Sequence, residues 1–412
     1  MKKILFIVFI LLIQPKRAEA KLIHVGINQT IKTITVAVQS AETGDTILVG
    51  FNTYHEKNLI INKSIVLLGL DYPILDGERK YENVSITADN VVFSGFKVIN
   101  SGISSMTDFA GIKICNRRCV TIINNILTDC FFGIYSQQST NCIIKNNELI
   151  AHQLQEQQSG NGIHCWKSDS LQIIGNKVTG HRDGIYFEFV TNSLISKNIS
   201  TKNMRYGLHF MFSNKDTYSD NVFENNGAGV AVMFSNHVKM YHNYFRENWG
   251  DASYGILLKE ISDSYIDGNT FERNTSGIFM EGASRIEMYK NTFKGNGWGL
   301  KIQASCMDIK LINNNFTGNT FDVGTNGSLS LNFFDQNYWD KYDGYDLNKN
   351  GVGDIPYRPV SMYSMIVEKY PPAMMLFRSL ITTLLDKSEK VIPSLTPENL
   401  KDNHPLMKPL KL

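Results

Sequence analysis

The chain has 412 residues, 41 of them basic and 39 acidic. Residues 1–20 read as a secretory signal peptide: Met1-Lys2-Lys3, an apolar run from Ile4 to Ile13, then Ala18-Glu19-Ala20 with cleavage expected after Ala20. Without that segment 37 basic side chains face 38 acidic ones, a near-neutral balance that argues against a nucleic-acid partner, and no later apolar run is long enough to span a bilayer.

Residues 21–101 hold irregular opening turns, among them Thr43 to Val49 and Asn62 to Gly69, together with an expected cap over the exposed first coil. From there to residue 340 one phrase recurs. Gly111, Gly133, Gly162, Gly184, Gly207, Gly229, Gly255, Gly277 and Gly299 follow one another at steps of 22, 29, 22, 23, 22, 26, 22 and 22. A second mark keeps the same phase, an Asn two places before an apolar residue, as in Asn125-Ile-Leu127, Asn221-Val-Phe223 and Asn291-Thr-Phe293. Asn198-Ile-Ser200 is in register but lacks the apolar partner. Short alternating runs separated by Gly, Asn and Asp are strands. A period of about 22 residues predicts the coils of a right-handed parallel β-helix, an all-β solenoid whose neighbouring strands lie ~4.8 Å apart. Stacked Asn side chains would then hydrogen-bond along the axis, and Asn tolerates the left-handed turn conformation. Leucine-rich repeats share the period, but their Leu-x-x-Leu-x-Leu phrase is absent.

Parity assigns the faces. The residue after each Gly is always aliphatic and points inward; the second and fourth residues point outward. In the middle coils those outward columns are not polar. The second position reads His164, Tyr186, His209, Ala231, Leu257, Phe279, and the fourth Trp166, Glu188, Met211, Met233, Lys259, Glu281. An outward surface of aromatic, Met and His side chains predicts partner binding through His164, Trp166, Tyr186, Glu188, Leu257 and Phe279.

Insertions within 150–161 and near Asn248 to Tyr254 become flank loops. Among six cysteines, Cys119 and Cys142 fall near equivalent places on adjacent coils and are candidates for a disulfide, Cys165 falls in an inward column, and Cys115-x-x-x-Cys119 reads as a disulfide or two spare thiols ahead of a soft-metal pair. Residues 341–371 connect to the C-terminus. Within them Asp346, Asn348, Asn350 and Asp354 space oxygen ligands like a calcium loop, but Tyr357 stands where the bidentate Glu belongs, so weak calcium binding and a plain Asn/Gly turn are equal readings. Residues 372–392 predict a helix with an apolar stripe that includes Leu376, Phe377, Leu380, Ile381, Leu384 and Leu385, read as a cap on the last coil or as a docking helix for a membrane partner. Residues 393–412 form an extended tail.

Several phrases carry a resemblance: Arg205-Tyr-Gly-Leu-His209-Phe-Met211-Phe-Ser-Asn214, Ala231-Val-Met233-Phe-Ser-Asn236, Gly255-Ile-Leu-Leu258, Glu389-Lys390-Val391-Ile392-Pro393, and His404-Pro405-Leu-Met407-Lys-Pro409. Together they resemble the NosD family, exported accessory proteins for maturation of nitrous oxide reductase. The resemblance covers essentially the whole mature chain. It implies a periplasmic β-helix standing on an ABC permease and its cytoplasmic ATPase. It further implies help in delivering copper, received from a small chaperone, to the copper–sulfur site of the reductase. Residues 372–392 would contact the permease, and membrane contact would run only through it.

Beside that resemblance, Met211 and Met233 on adjacent coils, with His209 two places before Met211, offer soft ligands for transient Cu(I). The same residues read first as an adaptable docking surface for chaperone or reductase, and last as packing under a loop. The competing class is an extracellular carbohydrate-binding or polysaccharide-processing β-helix protein. Its enzymes need clustered carboxylates, whereas Glu188, Lys259 and Glu281 are spread over several coils. The expectation is therefore a non-enzyme.

Overall fold

The computed structural model of the chain describes residues 20–104, 107–152, 155–327, 331–392 and 400–412. The expected signal peptide up to residue 19, and the part of the tail at 393–399, lie outside the described residues. The repeat forms a right-handed parallel β-helix. Three parallel sheets of 14, 12 and 13 strands run along it, each strand pairing with its equivalents one coil before and one coil after.

The two sequence marks have distinct physical jobs. The repeating glycines are not turn residues. A Cβ added at Gly133, Gly162, Gly184, Gly207, Gly229, Gly255 or Gly277 would lie 2.5–2.7 Å from the carbonyl oxygen of the next coil's glycine. Glycine recurs because two backbones meet there. The asparagines form a ladder through Asn125, Asn147, Asn176, Asn198, Asn221, Asn243, Asn269, Asn291, Asn314 and Asn337. Each Oδ1 accepts both the backbone N–H and the side-chain N–H of the preceding rung, as Asn243 does from Asn221 at 3.1 and 2.9 Å. The ladder asparagines do not occupy the left-handed turn conformation expected for them. That conformation belongs to the residue before each, such as Asn124 (φ 55°), Lys197 (57°), Asp220 (56°) or His242 (52°). A second ladder, Asn203 to Asn319 through Asn226, Asn248, Asn274 and Asn296, lines another corner.

The apolar residue after each ladder Asn fills the tube. Phe245, Phe271, Phe293, Phe316 and Trp339 stack with centroids 4.3–4.9 Å apart and are fully buried or nearly so. Ser200, the odd member of that column, is also buried, and its hydroxyl donates to the Gly207 carbonyl (2.8 Å) while accepting from Asn203 (2.9 Å).

Both ends are covered. Helix α1 (Ile34–Ser40) lays Ile34, Ala37 and Val38 over the first coils. Glu56 accepts from Ile34 N–H at its start, and Lys63 donates to the carbonyls of Val38, Gln39 and Ala41 at its end, the charge order a helix dipole favours. At the other end the tail, not the expected helix, closes the ladder. Asp402 Oδ2 accepts from the Asn337 backbone N–H (2.9 Å), Asn337 Nδ2 (3.0 Å) and Trp339 Nε1 (3.0 Å), and Leu410 exchanges two 2.9 Å bonds with the Asn315 side chain.

The single helix expected over 372–392 is broken. Helix α2 (Met362–Lys369) precedes a 3-10 turn at Pro371–Leu376. Arg378 then takes a left-handed φ of 60°, and Ser379 caps α3 (Leu380–Val391). α2 carries the packing: Tyr363 and Val367 cluster with Trp298 and Phe321, and Glu368 binds Lys301 at 2.6 Å. Leu376, Phe377, Leu380, Ile381 and Leu384 stay exposed, Leu380 to 75%, while Leu385 packs against the α2 cluster. All six cysteines are free thiols, Cys119 exposed and Cys142 buried, so the candidate Cys119–Cys142 disulfide is not formed; Cys165 lies in the core.

Candidate functional site

The outward columns lie on the 12-stranded sheet. Strands Ile163–Trp166, Ile185–Glu188, Tyr206–Met211, Ala228–Met233 and Tyr254–Lys259 are neighbours there. Register sets His164 against Tyr186, Tyr186 against His209 and His209 against Ala231. One place beyond the next inward residue, Trp166, Glu188, Met211, Met233 and Lys259 are also successive partners. The inward residues between them, Ile185, Phe187, Leu208, Phe210, Val230 and Val232, have no exposure.

Direction outward does not make the second-position column open. Tyr135, His164, Tyr186 and His209 form one stack of rings, with centroids 4.5, 4.9 and 5.0 Å apart. Rings this wide, on strands this close, cover one another. His209 retains 6% exposure, held between Tyr186 and Tyr206 (4.7 Å), and Ala231 has none. Nδ1 of His209 is 3.6 Å from Oδ2 of the fully buried Asp183, and neither imidazole nitrogen has a hydrogen-bond partner among the described residues. Burial, reinforced by the Arg182 charge, pushes His164 down to about 3, so its ring is neutral at any ordinary pH. His209 therefore shares a strand with Met211 but not its exposure.

The fourth-position column is the accessible one. Most of its polar members already have partners: Glu188 accepts from the Tyr186 hydroxyl (3.3 Å), Lys259 pairs with Glu281 (3.6 Å), and Lys167 Nζ lies 4.5 Å from the Trp166 ring centre. Met211 and Met233 are in register on adjacent strands and partly exposed. Further along the sheet Leu257 is partly exposed, and Phe279 is engaged by Tyr254 (5.1 Å) and by Lys301 (5.5 Å).

A third column was missed by reasoning that stopped at the fourth place after Gly. Phe189, Phe212 and Phe234 occupy the fifth. They stack at 5.2 and 5.1 Å with interplanar angles of 9° and 17°, and are 44%, 39% and 41% exposed. All three are left-handed, at φ 54°, 51° and 53°. The same corner on other coils holds Asn116, Gln138, Lys167, Glu260 and Gly282. A bulky side chain in that conformation costs about 1–2 kcal/mol, and such outliers gather at functional surfaces. The signal was in the sequence: Phe replaces polar residues or Gly only on the coils that also carry Glu188, Met211 and Met233.

The calcium-like loop turns its oxygens onto itself. Asp346 accepts from Asn350 N–H (3.1 Å) and Gly351 N–H (2.8 Å), Asn348 from Asn350 N–H (3.0 Å), Asn350 from Val352 N–H (2.8 Å) and Asp354 from Leu347 N–H (2.7 Å). That is the geometry of the Asn/Gly turn and lends calcium no support. No group of three or more His, Cys, Asp or Glu side chains is gathered for a metal among the described residues, a set that leaves thioethers aside.

Comparison with known proteins converges on one family. The family model described as "NosD: Periplasmic copper-binding protein (NosD)" matches residues 149–350, the segment that holds Met211, Met233 and the Phe189–Phe212–Phe234 stack. A "Probable ABC transporter binding protein NosD" of Pseudomonas aeruginosa is 26% identical over 370 residues, 85% of this chain and 86% of that one. The protein of the same name from Stutzerimonas stutzeri is 30% identical over 113 residues, and that match spans only 26% of its length and 27% of this chain. Among solved structures, PfbA, a surface adhesin of Streptococcus pneumoniae, superposes with a TM-score of 0.57 at 14% identity, covering 75% of this chain and 88% of PfbA, a likeness of fold alone. The family model and both relatives agree: residues 149–350 match the NosD family, and relatives bearing that name align with the chain.

Proposed function

We propose that the protein is a periplasmic accessory subunit of an ABC transporter complex, assisting copper delivery to, and maturation of, the copper–sulfur site of nitrous oxide reductase. The family description and the relatives' names support a copper-binding, transporter-associated periplasmic role. No described helix is long and apolar enough to cross a membrane, which agrees with attachment through a permease. The observation that carries the reading is the register of Met211 and Met233 on one partly exposed column.

Copper is cargo in this scheme. Two thioethers on neighbouring strands ~4.8 Å apart suit a soft monovalent ion. They hold it less firmly than thiolates, as an ion received from a chaperone and passed to the reductase must be held. His209 completes the set when its ring turns out from between Tyr186 and Tyr206. Trp166, Tyr186, Glu188 and the Phe189–Phe212–Phe234 stack surround the sulfurs as the contact surface for chaperone or reductase, with His164 beneath and Leu257 and Phe279 at its far side. The exposed face of the 3-10 turn and α3, from Leu376 to Leu384, seats on the permease, whose ATPase lies across the membrane. The chain is a carrier and platform, with no chemical step of its own.

Anaerobic Cu(I) titration of the exported chain tests the site. The parent should bind one ion, Met211→Ala with Met233→Ala should abolish that binding, and His209→Ala should weaken it about tenfold, roughly one ligand's worth. Unchanged stoichiometry and affinity in the double variant would remove the methionines from the scheme.

A further inference from the structure

The 14-stranded sheet carries a groove of about 410 Å³ on a face separate from the copper columns, and nothing in the family likeness accounts for it. Strands on this sheet are mostly three or four residues long, but Ser262–Asp267 and Ser284–Tyr289 extend to six, which widens the outward face. Tyr265, Glu287 and Lys310 stand in register on three successive coils. Beside them, at the adjoining corner, His237, Asp263, Arg285 and Asp308 complete the lining. Arg285 donates to both oxygens of Asp263 (2.6 and 2.8 Å), and Lys310 donates to Glu287 (3.0 Å). Tyr265 leaves its ring 42% exposed between them.

Three properties define what fits. First, Tyr265, Glu287 and Lys310 give the groove one outward side chain per coil, at a spacing of ~4.8 Å close to the advance of one sugar unit in an extended glycan. Second, planar bidentate groups beside an exposed aromatic face match vicinal hydroxyls and the apolar side of a sugar ring. Third, the charges nearly balance, three carboxylates against two permanent cations and the imidazole of His237, so the groove does not favour a polyanion. Asp263 and Glu287 do not serve as acids: hydrogen bonds from Arg285 and Lys310 lower them below the ordinary range, leaving neither with a proton to donate at neutral pH. We infer that this groove binds a linear uncharged glycan, one sugar per coil along the solenoid axis, without cleaving it.

Titration calorimetry of the full exported chain with cellotetraose and chitotetraose, and with a tetragalacturonate as the anionic comparison, decides the matter. An uncharged tetrasaccharide should bind with a Kd below about 1 mM, as weak polar sites do. Tyr265→Ala and, separately, Glu287→Gln should each weaken binding at least about fivefold, while Glu148→Gln, on another sheet, should not. Circular dichroism melting keeps a misfolded variant from being misread, and Glu287→Gln preserves shape if Tyr265→Ala does not fold. No heat with either uncharged sugar, preference for the uronate, or binding indifferent to both substitutions overturns the inference. Copper stoichiometry is independent of all these outcomes, since the sulfur column lies on the other sheet.

Discussion

Single residues show where the solenoid buries titratable groups by keeping them neutral. Asp216 has no exposure; its Oδ1 accepts from Ser193 N–H (2.8 Å) and its Oδ2 has no hydrogen-bond partner among the described residues. Burial pushes its carboxyl up to about 8 from 3.8, so the folded chain keeps a proton that the unfolded chain releases. The sign follows: the protonated state's stability is complete below about 4 and is lost as pH rises toward 8. His181, pushed down to about 4 by burial, runs the other way between about 6.5 and 4 and flattens the parent's curve. Asp216→Asn isolates the carboxyl, because the amide stays neutral throughout. Relative to the parent, this variant should gain about 1.4 kcal/mol of stability per pH unit between pH 5 and 8, read by urea denaturation at several pH values. A difference that does not change with pH would mean that Asp216 is ionised in the folded state.

At the scale of elements, the glycine and asparagine marks were legible because each repeats one contact on every coil, and a contact repeated nine times leaves a column in the sequence. Inward and outward direction was legible for the same reason. Coverage was not, since it depends on neighbours one coil away: His209 and Ala231 point out and are nonetheless sealed by the residues stacked against them. The Phe189–Phe212–Phe234 stack escaped notice because it turns at a corner, where alternation stops. Its exposure separates binding from folding. Phe212→Asn exchanges a strained aromatic for a residue at ease in that conformation, so stability should stay within about 1 kcal/mol of the parent while capture of the copper chaperone or reductase falls. A ladder rung should behave oppositely. Asn243→Ala strips partners from Asn221, Tyr218 and Asn269 together, and should cost about 3–5 kcal/mol in denaturant unfolding without altering any exposed side chain. A cost under 1 kcal/mol would show that the ladder follows the coil instead of holding it.

At the scale of the molecule, the C-terminus joins two tasks that periodicity in the sequence could not separate. The stripe over 372–392 announced a helix, but its break at Arg378 and the return of the tail depend on tertiary contacts far away in sequence, Asp402 on Asn337 and Leu410 on Asn315. Deleting everything beyond residue 371 would therefore strip the ladder's last acceptor along with the proposed docking face, and lost membrane attachment would prove nothing about docking. Finer changes distinguish them. Leu380→Ser with Ile381→Ser and Leu384→Ser alters exposed side chains only, so the melting temperature should hold while the permease and ATPase no longer accompany the chain in pull-down from membranes. Asp402→Ala takes the acceptor from the Asn337 N–H and from Trp339 Nε1 at the tube's end, while Asn337 Nδ2 keeps the Leu311 and Asp335 carbonyls; it should cost about 2–4 kcal/mol and should raise hydrogen exchange across coils 310–340 with α3 unchanged. If the serine variant still brings down the permease, the apolar face of α3 serves another neighbour and the platform must attach through its coils.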